Sequence, residues 1–204
     1  MKRKTLKVII FCAFLFCGMS VSPQTPIYLD KSQPIEQRIE DALSRMTLQE
    51  KINIIHAQSK FSAPGVPRLG IPELWCTDGP MGVRPEVMWD EWDQAAWTND
   101  SCMAFPALSC LAATWNPRMA SLYGKSIGEE ARFRNKSVLL GPGINVYRTP
   151  LCGRNFEYMG EDPYLISHMV VPYVQGVQSN GVSACVKHFA INNNEINRHT
   201  SNPI

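Results

Sequence analysis

Beyond its first seven residues this chain of 204 has no basic run, no C-x-x-C pair, no internal repeat and no low-complexity tract. Without a basic patch, nucleic acid is not an expected partner. The missing C-x-x-C spacing excludes the common zinc and redox motifs, and no metal or cofactor is expected. The longest apolar stretch, Val8 to Val21, falls short of the roughly 20 residues needed to cross a bilayer. No lipid anchor is expected either, because Cys17 follows the bulky Phe16.

That stretch instead has the form of a secretory leader: Lys2, Arg3, Lys4 and Lys7 precede it, and Gly18 and Ser20 supply small residues at its end. Cleavage is expected after Ser20, since the alternative after Ser22 would set Pro23 beside the scissile bond. Residues 1–20 hold four basic and no acidic groups, so removing them takes the formal charge from +2 to −2. The chain is therefore expected to be exported, to a bacterial periplasm or outside the cell. Five cysteines then remain, an odd number. Cys76 and Cys185 lie in apolar strand-like runs and are expected to be small buried hydrophobes. Cys102 with Cys110 is the one pair spaced for a local bridge.

Three segments are expected: the leader 1–20, a lead-in with a helix over 21–46, and one domain over 47–204. Ile35, Ile39, Leu43 and Met46 recur at helical spacing. Thr47 and Glu50 have capping-box spacing and open a second helix through about His56. Strands are predicted at Glu73–Thr77, Ser137–Leu140 and Val182–Lys187. Between them, Asn116-Pro117 and Asp162-Pro163 each pair an N-cap with a proline at the first helical position. Asn180-Gly181 ends the second of these helices. A long loop with Trp89, Trp92 and Trp97 follows the first strand. The strand–helix alternation predicts parallel pairing and an α/β class, with a (β/α)8 barrel as the architecture. Three strands of eight make the barrel incomplete, so the chain is expected to be the first part of a longer product.

All three strands end in polar loops, at the rim where such barrels bind ligands. Asp78 follows the first strand in Asp-Gly-Pro, which is also ordinary turn chemistry. Arg84 is close enough to share its pocket, or to be a solvated loop arginine. Arg154 sits in a glycine-flanked loop, where its planar fork suits vicinal hydroxyls or a carboxylate. Glu157, Glu161 and Asp162 are its nearby partners, Asp162 reading best as a helix cap. Lys187 and His188 stand in tandem at the end of the third strand, where alternation would turn them to opposite faces. A rim turn that brings both inward would offer several donors to adjacent hydroxyls. Asn192, Asn193, Asn194, Glu195, Asn197 and Arg198 form a polar loop beyond. Lys187 is also a candidate Schiff-base former, which would make the barrel aldolase-like.

In combination, Met46–Lys51, Thr77-Asp78-Gly79-Pro80-Met81-Gly82-Val83-Arg84, Gly141-Pro142-Gly143-Ile144-Asn145, Gly153–Pro163 and Lys187-His188-Phe189-Ala190 resemble glycoside hydrolase family 3, in its β-glucosidase and β-xylosidase branch. The resemblance runs from about Met46 to His199. It implies that Asp78, Arg154, Lys187 and His188 hold the non-reducing-end sugar of a β-linked oligosaccharide or glycoside, with Arg198 in support. It further implies a retaining exo-β-glycosidase whose nucleophile, an aspartate in a Ser-Asp-Trp-like motif, and whose acid/base glutamate are not in this sequence. This chain is accordingly expected to be inactive alone, at most a carbohydrate-binding fragment. Ala190-Ile191-Asn192 after Lys-His-Phe departs from the His-Asp pair of the N-acetylglucosaminidase branch.

Overall fold

The computed structural model describes residues 25–84 and 101–189, with Asn192, Glu195, Asn197 and Thr200. The expected leader 1–20, Trp89, Trp92, Trp97, Asn193, Asn194 and Arg198 lie outside the described residues. The chain divides into two compact units, Met1–Arg45 and Met46–Ile204.

In the first unit a 3-10 turn, Ile27–Leu29, precedes helix α1, Ile35–Arg45. Asp41 ties them together, accepting from the Tyr28 N–H at 3.0 Å and from Arg45 Nη2 at 2.9 Å.

The second unit opens with α2, Leu48–Ile54, whose start is the predicted capping box: the Glu50 N–H donates to Thr47 Oγ1 and the Thr47 N–H to Glu50 Oε2. Among the described residues four strands follow, in the sheet order β1 (Ser62–Ala63), β2 (Leu74–Asp78), β3 (Val138–Leu140) and β4 (Ser183–Ala184). The β2, β3 and β4 pairings are parallel, as the strand–helix alternation predicts. β1 pairs antiparallel with β2; two residues just before Pro64 are too short to show a period in sequence. β4 is shorter than the predicted Val182–Lys187. In its neighbour β3 the Gly141 N–H, next in line to reach β4, turns back to the Leu139 carbonyl at 3.0 Å. Pairing continues irregularly, with the Lys187 N–H on the Pro142 carbonyl at 3.0 Å and the Ile144 N–H on the Lys187 carbonyl at 2.8 Å.

One face of this sheet is covered by helices. Thr77 and Leu139, partners in register, are buried on that face. Beneath it lie α3 (Leu108–Ala112), α4 (Pro117–Phe133) and α5 (Pro163–Gln178). Asn116 and Asp162 cap α4 and α5, accepting from the Arg118 and Tyr164 N–H groups at 3.0 and 2.9 Å. Ala120, Tyr123 and Ile127 of α4 meet Met169, Tyr173 and Val177 of α5 in the core. The two helices approach closely because Gly124 has no side chain: a Cβ there would stand 2.1 Å from the Tyr173 carbonyl oxygen.

The opposite sheet face carries Cys76, Asp78, Val138 and Leu140, none of them fully buried. This corrects the expectation for two cysteines: Cys76 is half-buried and Cys185 exposed, because alternation puts both on the face away from the helices. Burial and its neighbour Cys185 push the Cys76 thiol up, against the Lys136 charge. Cys102 and Cys110 are both free thiols, so the local bridge does not form.

Candidate sugar-binding site at the strand ends

Parallel strands bring their C-terminal ends to one rim, and the sequence-predicted side chains meet there. Asp78 is the last residue of β2 and pairs with Leu140, the last of β3. Lys187 bridges Gly143 in the loop beyond β3. Lys187 Nζ lies 2.9 Å from Asp78 Oδ1. Arg154 Nη2 lies 3.0 Å from His188 Nε2. Asp78, Arg154 and Lys187 line one cavity of about 590 Å³, which Met81, Met103 and Phe156 flank with apolar surface.

The turn after β2 is held in place from both ends. Gly79 takes φ +115°, and a Cβ there would lie 2.1 Å from the Gly82 carbonyl oxygen, so only glycine closes the loop. The Arg84 N–H returns to the Asp78 carbonyl at 3.2 Å and to Thr77 Oγ1 at 3.1 Å. From below, the buried Tyr173 hydroxyl of α5 donates to the Pro80 carbonyl at 2.9 Å. Helix packing thus sets the height of Asp78 in the cavity wall.

Asp78 Oδ1 accepts from Lys187 Nζ and from the Gly79 N–H, each at 2.9 Å. Among the described residues no hydrogen bond reaches Oδ2, which leaves it open to accept from a ligand. Burial opposes ionisation of this carboxyl, but the Lys187 hydrogen bond and charge, the Gly79 N–H and the Arg84 charge outweigh it. The carboxyl is held below its usual range. Arg84 lines the same cavity with its guanidinium 5.4 Å above the Phe61 ring.

Arg154 is gripped from three sides. Glu157 takes it in a fork, Nε to Oε1 at 2.7 Å and Nη2 to Oε2 at 2.8 Å. His188 accepts the second Nη2 proton, and Glu195 Oε1 lies 3.4 Å from Nη1. The Glu157 hydrogen bonds, against the cost of burial, push this guanidinium further up from its ordinary value. Of its five donors, one Nη1 proton has no partner among the described residues. Asp162 serves as the helix cap and Glu161 is exposed.

Lys187 and His188 both reach the site although they are adjacent, and the peptide bond between them is cis. They do not present a common set of donors. Lys187 keeps two N–H groups beyond its bond to Asp78. His188 stands behind Arg154, with Nδ1 2.9 Å from the Tyr158 hydroxyl. Burial and the Lys187 and Arg154 charges push its imidazole below the usual range, against Glu157 and Asp78.

Two residues without an assigned role in the sequence complete the arrangement. The Asn145 side chain brackets the His188 backbone, accepting from its N–H at 2.8 Å and donating to its carbonyl at 3.2 Å. Tyr158, fully buried, packs edge-on to the imidazole with ring centres 5.8 Å apart. The Gly-Pro-Gly-Ile-Asn segment marked Asn145 as belonging to a strand-end loop. Tyr158 lies in the Gly153–Pro163 segment, where no local pattern pointed to its contact with His188.

Comparison with known proteins places the fold and the family. The model of the glycosyl hydrolase family 3 N terminal domain matches residues 51–204. Beta-glucosidase BoGH3A of Bacteroides ovatus is 69% identical over 173 residues, which are 85% of this chain and 23% of that protein. Thermostable beta-glucosidase B of Acetivibrio thermocellus is 44% identical over 81% of this chain and 22% of its own length. Among solved structures, beta-glucosidase 3B from Thermotoga neapolitana in complex with glucose superposes with a TM-score of 0.67 at 39% identity, over 78% of this chain and 24% of that one. DesR, a beta-glucosidase from Streptomyces venezuelae in complex with D-glucose, gives 0.68 at 40% identity, over 79% and 20%. The chain thus spans less than a quarter of the length of these relatives. Its α/β sheet and helices are part of the expected (β/α)8-type barrel. The family match over residues 51–204 and the identity to these relatives show that the chain belongs to glycoside hydrolase family 3.

Proposed function

We propose that this chain contributes the sugar-holding wall of an exported, retaining exo-β-glycosidase of the β-glucosidase type. The observation that carries the reading is the open valence around one cavity: Asp78 Oδ2, two Lys187 protons and one Arg154 proton. A carboxylate oxygen that accepts from two neighbouring hydroxyls, flanked by two cations that donate to the same oxygens, matches a pyranose edge. Charged hydrogen bonds of this kind are roughly twice as strong as neutral ones. Those that tighten as the ring flattens lower the barrier rather than merely binding substrate. The names of the relatives and their glucose complexes support glucose as the sugar.

Retention requires a nucleophilic carboxylate and an acid/base carboxyl about 5–5.5 Å apart across the glycosidic bond. Asp78 suits binding better than attack, because Lys187 and Gly79 draw charge through Oδ1 and leave a weakly basic Oδ2 to accept from hydroxyls. The wall described here therefore binds and orients, and the reacting carboxyls come from outside residues 1–204. Lys187 is equally ill-placed as a Schiff-base former. An ammonium paired with a carboxylate at 2.9 Å has no free lone pair for a carbonyl. Absence of a borohydride-trapped adduct on Lys187 is the expected result.

The direct test uses the protein at its full natural length with an aryl β-glucoside. Asp78→Ala is expected to lower kcat/KM by about a hundredfold or more, the cost of losing one positioned polar group. The β-anomer of glucose should appear first in the NMR spectrum. Near-normal turnover of the variant refutes the placement of Asp78, and first appearance of the α-anomer refutes retention.

A further inference from the structure

Behind Arg154 runs a series of hydrogen bonds whose proton positions follow from donor chemistry. A guanidinium has only donors. With Nη2 3.0 Å from His188 Nε2, that nitrogen has to accept. The imidazole is then neutral and carries its one proton on Nδ1. Nδ1 lies 2.9 Å from the Tyr158 oxygen, which accepts that proton. The Tyr158 hydroxyl in turn donates to the Asn192 carbonyl at 3.1 Å, and Asn192 Nδ2 donates back to the hydroxyl at 3.2 Å. Burial of the phenol and its raised ionisation range keep it a hydroxyl.

Without the Tyr158 oxygen the buried Nδ1–H would go unpaired, a cost that competes with the Arg154 bond and opens the other neutral tautomer. The other one would set an N–H against the Arg154 N–H and push the guanidinium out of the cavity wall. The Asn145 bracket fixes only the backbone of His188 and leaves that choice open. We propose that Tyr158 is a positioning residue: its hydroxyl holds His188 in the Nδ1–H tautomer, so that Nε2 receives an Arg154 proton and keeps the guanidinium facing the ligand. The charged groups around the ring favour its neutral state on balance, Lys187 and Arg154 repelling an added proton and Glu157 and Asp78 attracting it.

Only the kinetic arm of the test rests on the glycosidase reading. Histidine-specific ¹⁵N labelling of the protein at full natural length, with His188→Gln to assign the signals, should show His188 protonated on Nδ1 alone. Tyr158→Phe keeps the ring and should convert this to a mixture of tautomers. In kinetics, Tyr158→Phe is expected to lower kcat/KM about two- to tenfold, the size of one lost hydrogen bond. In a His188→Gln background, where no tautomer remains to be set, its further effect should fall below about twofold. An equal loss in both backgrounds, or a wild-type His188 protonated on Nε2, overturns the proposal. Should the protein hydrolyse no β-glucoside, the functional reading falls while the nitrogen shifts still decide the tautomer. A Tyr158→Phe protein whose His188 stays protonated on Nδ1 alone overturns it as well, and if that variant does not fold, a wild-type His188 found as a mixture of tautomers still does.

Discussion

Asp78 and His188 respond to pH for opposite chemical reasons, and both responses have a definite sign. The Asp78 carboxyl is held below its usual range despite burial, chiefly by Lys187. Glucose affinity measured by calorimetry should therefore persist as pH falls through the ordinary aspartate value of about 3.9, and fail only below it. Lys187→Met removes the hydrogen bond and charge, so the acid limb is expected to move upward. His188 has its range lowered in the folded state, so the unfolded chain takes up this proton first as pH falls. The stability from neutral His188 is fully present above about 6.5 and declines as pH drops toward the lower folded-state value. His188→Gln should flatten this part of the stability curve. A curve unchanged by the substitution would show that another group titrates there.

Helices α4 and α5 were legible from their ends. The cap-plus-proline pairs Asn116-Pro117 and Asp162-Pro163 act through bonds to the second residue beyond the cap, a local geometry that sequence spacing records directly. Asn116→Ala is expected to lower unfolding free energy by about 0.5–2 kcal/mol in denaturant titrations. How closely the helices pack was not legible, because Gly124 has meaning only against the Tyr173 carbonyl 49 positions away. Gly124→Ala is expected to destabilise by about 1–3 kcal/mol through overpacking, with kcat affected less than Tm. The strands were legible in order and direction but not in length. β4 stops early because the Gly141 N–H in its neighbour turns back to Leu139, a fact about pairing rather than about Val182–Lys187.

At the scale of the whole molecule, the parallel sheet turns three distant loops into one wall. The Asp78–Lys187 contact joins residues 109 apart and Arg154–His188 residues 34 apart. The chain spans less than a quarter of its relatives' length, so catalysis is expected from the protein at full natural length and not from residues 1–204 assayed alone. Measurable hydrolysis by the 204-residue chain would overturn that. The export reading is checked by N-terminal sequencing of the secreted protein, which should begin at Val21.

Sequence by itself determined the residue types of the site, the helix starts and the parallel strand order, because capping, proline placement and hydrophobic period act over a few neighbouring positions. Tertiary structure alone decided what those residues do to one another. The direction of Lys187 and His188 is one case, since strand alternation predicts opposite faces and both instead reach the Asp78 and Arg154 side chains. The free valences are another. Which carboxylate oxygen, ammonium proton or guanidinium proton stays open to a ligand depends on hydrogen bonds between loops far apart in the chain, and no local pattern encodes them.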